Sequence, residues 1–385
     1  MGCDQSKSSK VTDVATVKPS TPAVPESEPP GPVPAEPEVV ESAKRASPSP
    51  IFTRQASPLP QPSPVPDDNY TIIRLLLLGS AESGKTTLLE QVRLLYKQHF
   101  TESEIFHRRM FIYNNLFKAI RSLVIAMNDH GYQYDDPVNA GRAQVLLEET
   151  DNHYGLFNAD LAEKIKSVWR DASVQKLYAR RSAFNLNDSA AYFLSNLDVI
   201  NRPEYVPSEK DLIMSYVPTV GVQNVIFTAN NQTFQLFDIG GQRIDRRKWA
   251  IHYDGIDAIF FCIAISEYDQ LMNEDMMTNR LDDALLLLEK ISKEPLFEKT
   301  MIYVFMNEVD VFREKISEIP LENFQLDFKG GNAADALEFM EELVVKSLAN
   351  RDPSLYKIYQ SVAIDTKLMK DILESVFKDI KKRKK

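Results

Sequence analysis

The stretch Gly79-Ser80-Ala81-Glu82-Ser83-Gly84-Lys85-Thr86 fits the spacing G-x-x-x-x-G-K-[ST]. The chemistry of that spacing is phosphate binding. Gly79 and Gly84 let backbone N–H groups converge on phosphate oxygens, with Ala81, Glu82 and Ser83 forming the loop between them. A helix that begins here would turn its positive end toward the same oxygens. Lys85 would reach the β- and γ-phosphates, and the Thr86 hydroxyl would coordinate Mg2+. Further along, Phe237-Asp238-Ile239-Gly240-Gly241-Gln242-Arg243 closes an expected strand. Asp238 can hold Mg2+ through water, Gly241 can offer its N–H to a γ-phosphate, and Gln242 can orient an attacking water. Asn307-Glu308-Val309-Asp310 follows another expected strand. A carboxylate there, Asp310, accepts from guanine N1–H and the exocyclic amine, donors that adenine does not present on that edge. Asn307 can contact N7 and brace the neighbouring loops, and Ala363, in Ser361-Val362-Ala363, can give a backbone N–H to guanine O6. Alone, the later motifs are ordinary loops; their order behind the phosphate loop gives them weight.

The elements that must position these groups are written in the hydrophobic periodicity. Residues 72–78 form an apolar run broken only by Arg74, as a buried parallel strand requires. Helical periodicity dominates from 84 to about 208, with turn signals near His130-Gly131 and Pro203. Strand-like runs return at 222–228, 233–239, 256–265, 300–306 and 357–362, with helical stretches at 275–292, 333–348 and 366–381. Strands alternating with helices imply an α/β fold on a parallel sheet, and the long all-helical stretch reads as an insert. The expected division is an arm at 1–69, an α/β body at 70–98 and 209–385, and an inserted α-helical domain at 99–208.

Composition bounds the rest. Fifteen of the 22 prolines precede Asp67, and prolines so closely spaced remove backbone donors and fix φ, so the arm is expected to be disordered. The 385 residues carry a net charge of −10, which argues against a non-specific nucleic-acid binder. Two cysteines, Cys3 and Cys262, exclude a disulfide framework. No apolar run approaches the ~20 residues of a membrane span, and no apolar stretch follows the start as a secretory signal would need.

Taken together, these residues resemble the α subunits of heterotrimeric G proteins over roughly residues 72–381. Leu186-Asn187-Asp188-Ser189-Ala190-Ala191-Tyr192-Phe193 resembles the family's helical-domain signature. Asp238-Ile239-Gly240-Gly241-Gln242-Arg243, then Arg247-Lys248-Trp249, resembles its second switch, and 211–221 aligns with its first. The resemblance implies a P-loop Ras-like GTPase domain with an inserted all-α domain, GTP or GDP and Mg2+ between them, and signalling through GTP hydrolysis. It carries Thr87, Asp188, Ser189 and Ile213 onto nucleotide-contact positions, and Thr219 onto the Mg2+-binding threonine. Catalysis would then fall to Gln242, Lys85 and Thr219. The implied partners are a βγ dimer, an effector at the second switch and a seven-helix receptor, at the cytoplasmic face of the plasma membrane or another membrane.

Several residues depart from the family pattern. Tyr216 stands where the family carries its catalytic arginine, and a phenol has neither the positive charge nor the fork of a guanidinium. For this very class an arginine finger is credited with ~10³–10⁵ in rate, a figure of the class and not of this chain. Met214 and Val220 replace polar residues of the same switch, and Ala81 replaces a glycine, its Cβ crowding the γ-phosphate and the glutamine. Glu308 replaces a lysine whose partner aligns with Asp188, so two like charges are expected where the family has a clasp between its domains. Glu82 is expected to lose its arginine partner. The expectation is a hydrolysis-impaired, exchange-prone GTPase; the alternative is an adaptor, GTP-loaded or nucleotide-independent, that presents its arm to SH3- or WW-type partners.

The ends carry further signals. Met1-Gly2-Cys3-Asp4-Gln5-Ser6 fits N-myristoylation at Gly2 with Cys3 placed for palmitoylation, two acyl chains that together anchor stably. The arm leaves no room for the family's βγ-docking helix, while Arg243, Arg247, Lys248 and Trp249 keep a second-switch contact. Ser47, Ser49, Ser57 and Ser63 each precede proline, as proline-directed phosphosites do. The final Lys381-Lys382-Arg383-Lys384-Lys385 is unlike the family's receptor-reading tail; it reads as a solvated helix end that could add attraction to anionic lipid.

Overall fold

The computed structural model describes residues 72–149, 157–219 and 221–384. The expectations for the proline-rich arm, its acylation signal and its Ser-Pro sites lie outside the described residues, as does Val220.

Strand β1 (Ile73–Gly79) runs into the phosphate loop and then α1 (Lys85–Leu95). The helical part follows: α2 (Glu102–Asp129), α3 (Val138–Glu149), α4 (Ala159–Trp169), α5 (Ala172–Tyr178), α6 (Ala190–Ser195) and α7 (Leu197–Ile200). Thr101 and Glu104 close a reciprocal capping box at the start of α2, which satisfies two backbone donors that the first turn leaves free. Ile112, Leu116, Ile120 and Leu123 recur every three or four residues along α2, so they form one stripe. That stripe buries against Leu161, Ile165 and Val168 of α4 in a core separate from those of the sheet.

The chain returns through α8 (Glu209–Met214), then β2 (Val222–Ala229), β3 (Gln232–Ile239), α9 (Arg243–Arg246), β4 (Ala258–Ala264), α10 (Arg280–Ser292) and β5 (Met301–Asn307). It ends with α11 (Val309–Lys315), α12 (Ala333–Ser347), β6 (Tyr356–Gln360) and α13 (Thr366–Arg383). The short α11 directly behind β5 is not among the expected helices; seven residues give periodicity too little length to show. The sheet order is β2-β3-β1-β4-β5-β6. The expectation of a purely parallel sheet is corrected at its edge, where β2 pairs antiparallel with β3. Asn230 and Asn231 make that reversal, with φ of 51° and 57°, the left-handed pair that a tight hairpin between right-twisted strands demands.

Alternation along each strand feeds two cores. Leu75 and Leu77 pack with Leu88 and Val92 of α1 and Leu373 and Phe377 of α13. Leu76 and Leu78 pack on the other face with Leu281 and Leu288 of α10 and Met340 of α12. Strands β4 and β5 are buried at every residue, as strands covered on both faces must be. The parallel register then sets the site. Leu77 lies opposite Asp238, Gly79 opposite Cys262 and Ala264 opposite Asn307, so the motif-bearing loops emerge together at the carboxyl ends of the strands.

The basic C-terminus is less free than its sequence implies. Lys381 donates to the Asn230 carbonyl, Arg383 pairs with Asp379 at 2.9 Å, and Lys384 pairs with Asp257. Among the described residues no helix is long and apolar enough to cross a membrane.

Phe377 is fully buried where α13 meets the sheet, with its ring centroid 4.8 Å from that of Phe234, 5.2 Å from Phe227 and 5.4 Å from Tyr96. Phe377→Ala is expected to cost about 3–5 kcal/mol of stability by opening a cavity under the sheet. The check is the urea midpoint, which should fall with an unchanged slope.

Candidate functional site

The phosphate loop is built around close backbone approach. Gly84 has φ of 89°, and a Cβ there would lie 2.1 Å from Asn307 Nδ2. Asn307, 3% exposed, donates from Nδ2 to the Ser83 carbonyl at 3.3 Å and accepts the Ala363 N–H on Oδ1 at 2.9 Å. It braces two loops, as expected, but it also occupies the Ala363 N–H that was expected to serve guanine O6. Ser83 Oγ donates back to the Ser80 carbonyl at 2.9 Å, which closes the loop on itself. Lys85 begins α1 with its ammonium drawn into the loop, donating to the Ser80 carbonyl and lying 3.4 Å from Ser83 Oγ. Burial holds its pKa below the ordinary lysine value, with Asp238 pulling the other way. Gly241 lies against the same loop: a Cβ there would sit 2.5 Å from Lys85 Nζ.

Asp238 is the penultimate residue of β3 and is wholly buried. Thr86 Oγ1 and Thr219 Oγ1 are 2.7 Å apart, and each lies 3.0 Å from Asp238 Oδ2. The other oxygen, Asp238 Oδ1, is buried with no hydrogen-bond partner. Burial pushes this carboxyl's pKa up, while Lys85 and the two threonines pull it down. An orphaned buried carboxylate oxygen beside two hydroxyls fits a hard cation, above all Mg2+, which keeps several waters and takes phosphate oxygens. Among the described residues no group of three or more His, Cys, Asp or Glu could hold a metal, so such a cation would draw most of its shell from hydroxyls, water and phosphate.

Above these groups lies a cavity of about 590 Å³. Ala81, Glu82, Gly84, Lys85, Thr86 and Thr87 form its phosphate-loop wall. Ile213, at the end of α8, and Thr219 face it with Gly241 and Gln242, while Asn307, Asp310 and Ala363 close the far end. Asp188 and Ser189, ahead of α6, come to it from the helical side. Gly79, Ser83 and Asp238 do not line it. The Ser189 N–H and hydroxyl are both spent on Asn187 Oδ1, at 2.9 and 2.6 Å.

Three expectations are corrected here. Glu82 does not lose its partner: Arg280 Nη1 lies 2.7 Å from Glu82 Oε2 and also pairs with buried Glu267, whose pKa burial raises to about 7 against the pull of Arg280. Tyr216 lines the same wall; burial first and the Glu82 carboxylate second push its phenol up to about 12, so it stays neutral. The clasp is rebuilt rather than lost. Arg181 donates from Nε to Asp188 at 3.0 Å and reaches Glu314 of α11 at 3.4 Å, which ties the helical part to the α/β body. Glu308 turns inward to Ser266, and its pKa is raised well above its ordinary value by burial and then by Asp188 and Glu267, so the expected like-charge repulsion is felt there, while Arg181 pairs with Asp188 and Lys315 pulls Glu308 the other way. Lastly, Trp249 faces inward and Arg243, partly exposed, is held in an ion pair. Arg243 pairs with Asp275 at 2.6 Å, and Trp249, 2% exposed, donates to the Gly240 carbonyl at 2.9 Å.

Arg280, Glu267, Arg181 and Glu314 are not singled out in the sequence. They sit in no motif, and their partners are distant in the chain: Arg181 and Glu314 are 133 residues apart. A raised carboxyl pKa in the folded state contributes stability at low pH that is lost as pH rises. Glu308→Gln is therefore expected to raise the thermal midpoint at neutral pH and to lose that advantage as pH falls through the ordinary carboxylate range. Thermal scans of both proteins across pH, without nucleotide, check it.

Comparison with known proteins agrees with this geometry. The family described as G-protein alpha subunit matches residues 61–380. The Guanine nucleotide-binding protein alpha-13 subunit of Caenorhabditis elegans is 66% identical over 333 residues, covering 86% of this chain and 95% of the relative. Its Caenorhabditis briggsae counterpart is 67% identical over 319 residues, covering 83% and 91%. The alpha-3 subunit of Caenorhabditis elegans is 34% identical over 308 residues, covering 79% and 87%. With its Ras-like and helical parts flanking a phosphate-loop cavity, the chain belongs to the G-protein α-subunit family of guanine nucleotide-binding signalling proteins.

Proposed function

We propose that this protein is a slow GTPase switch that holds GTP in the cavity with Mg2+ at Thr86, Thr219 and Asp238. The observation that carries the reading is the orphaned Asp238 oxygen beside those two hydroxyls, directly under the phosphate loop. Asp310 would read the guanine edge. Lys85 and the loop N–H groups would hold the phosphates, and Gln242, exposed at the cavity, would place the water for in-line attack on the γ-phosphate. When bound beside Thr86, Thr219 and Asp238, Mg2+ would offset the negative charge of the phosphates.

Slowness follows from what faces the γ-phosphate position. Tyr216 stays neutral, so it brings one O–H and no cation. Arg280, a guanidinium in the cavity wall, is already held by the carboxylates of Glu82 and Glu267. The clasp through Arg181 removes the ground for rapid nucleotide release, so impaired hydrolysis stands without fast exchange. At the second switch Ile244 and Ile251, 70% and 76% exposed, flank exposed Arg247 and Lys248 and offer an effector or βγ surface. Acylation at Gly2 and Cys3 would tether this body to a membrane through the arm.

Single-turnover hydrolysis of preloaded GTP, compared between wild type and Tyr216→Arg, tests the reading. The variant is expected to be faster by about 10³-fold or more, the class figure for an arginine finger. Wild-type turnover as fast as the variant would overturn it.

A further inference from the structure

The first switch is pinned at two points. Thr219 Oγ1 lies 2.7 Å from Thr86 Oγ1 and 3.0 Å from Asp238. Four residues earlier, Ser215 Oγ accepts from Arg108 Nη1 at 3.2 Å, and the Tyr216 carbonyl accepts from Asn115 Nδ2 at 3.0 Å. Arg108 and Asn115 are seven residues apart on α2, two turns along one face of the longest helix in the helical part. Pro218 stiffens the span between the two points by fixing φ. Residues 215–219 are thus a short strap with one end on the helical domain and the other at the Mg2+ position.

What holds Arg108 is also on α1. Its guanidinium pairs with Glu90, 2% exposed, whose Oε2 has no hydrogen-bond partner and lies 3.7 Å from Arg93. Arg93 in turn reaches Glu104 of α2 at 2.8 Å. Glu90 follows Thr86 by four residues, so the two lie on one face of α1, one turn apart. The contacts therefore close into a ring: Thr86, Thr219, the strap, Ser215, Arg108, Glu90 and back along α1. A carboxylate buried this far must keep its cation, because removing one partner leaves an uncompensated charge. The Glu90–Arg108 pair is accordingly a fixed point, and Ser215 hangs from it.

We infer that Arg108, anchored by Glu90, is a positioning residue that sets the first-switch strap and, through it, the Thr219 hydroxyl at the Mg2+ position. It touches no nucleotide; it acts through Ser215. The inference rests on the reading of Thr219 and Asp238 as the Mg2+ site. It assigns the helical domain a part in that site separate from the clasp at Asp188, and makes Mg2+ affinity depend on a residue outside the α/β body.

Two measurements on the full chain test it. Amide exchange over 211–219 in metal- and nucleotide-free protein reads the strap itself. Release of a fluorescent GDP analogue, with Mg2+ and with EDTA, reads its coupling to the metal. In Arg108→Ala, and more mildly in Ser215→Ala, which leaves the ion pair intact, exchange over the strap should rise. Release in Mg2+ should rise about tenfold in Arg108→Ala, within the range for residues of one network, while the rate in EDTA stays that of wild type. In a Thr219→Ala background Arg108→Ala should add nothing further. The inference is overturned if strap exchange is unchanged in both variants, if both release rates rise alike, or if the Arg108 and Thr219 effects simply multiply. Wild-type release that ignores EDTA would count against the Mg2+ reading, while the exchange result still decides the strap.

Discussion

A carboxylate with no exposure, Asp238, held by two threonine hydroxyls, lies within electrostatic reach of a buried ammonium, Lys85, and the rest of the structure is arranged around that pair. Charges taken out of water must be paired or hold a metal. The parallel pairing of β1 with β3 brings the loop that carries Lys85 alongside the strand end that carries Asp238. The first switch then supplies Thr219, and Gly241 can approach the loop only because it lacks a Cβ. Burial raises the pKa of the acid and lowers that of the lysine, and each pulls the other back toward its charged form.

Much of this was legible in the residues. The phosphate loop, Asp238 and Asn307 come together at the site because their motifs are local, a strand end, a turn and a helix start, each within a few residues, while Thr219 is placed by the family resemblance alone. The antiparallel β2 was less legible, since an alternating run does not state its direction; only the Asn230-Asn231 pair carries that information. The charge network was not legible at all. Arg181 with Glu314 and Arg280 with Glu82 join residues far apart in the chain, Arg108 with Glu90 joins two neighbouring helices, and none of the six stands in a pattern that names its partner.

These networks show how the departures at Tyr216 and Glu308 are accommodated. Placing an acid at 308 beside Asp188 would push the domains apart, and the cation that answers it comes from the helical side, at Arg181. Losing an arginine at 216 would strand Glu82, and Arg280 takes up that carboxylate. Structural charge balance is thereby restored without restoring a free cation at the γ-phosphate position. On the proposed reading, folding and nucleotide binding survive such exchanges, whereas transition-state stabilisation, which needs the charge at one place, would not.

The most direct measurement is GTPγS retention as a function of free Mg2+, with phosphate release from GTP followed on the same preparation. The account predicts stoichiometric binding that tightens with Mg2+, since the cation would satisfy the orphaned Asp238 oxygen, together with slow but measurable phosphate release. Binding indifferent to Mg2+, or no binding at all, would contradict it.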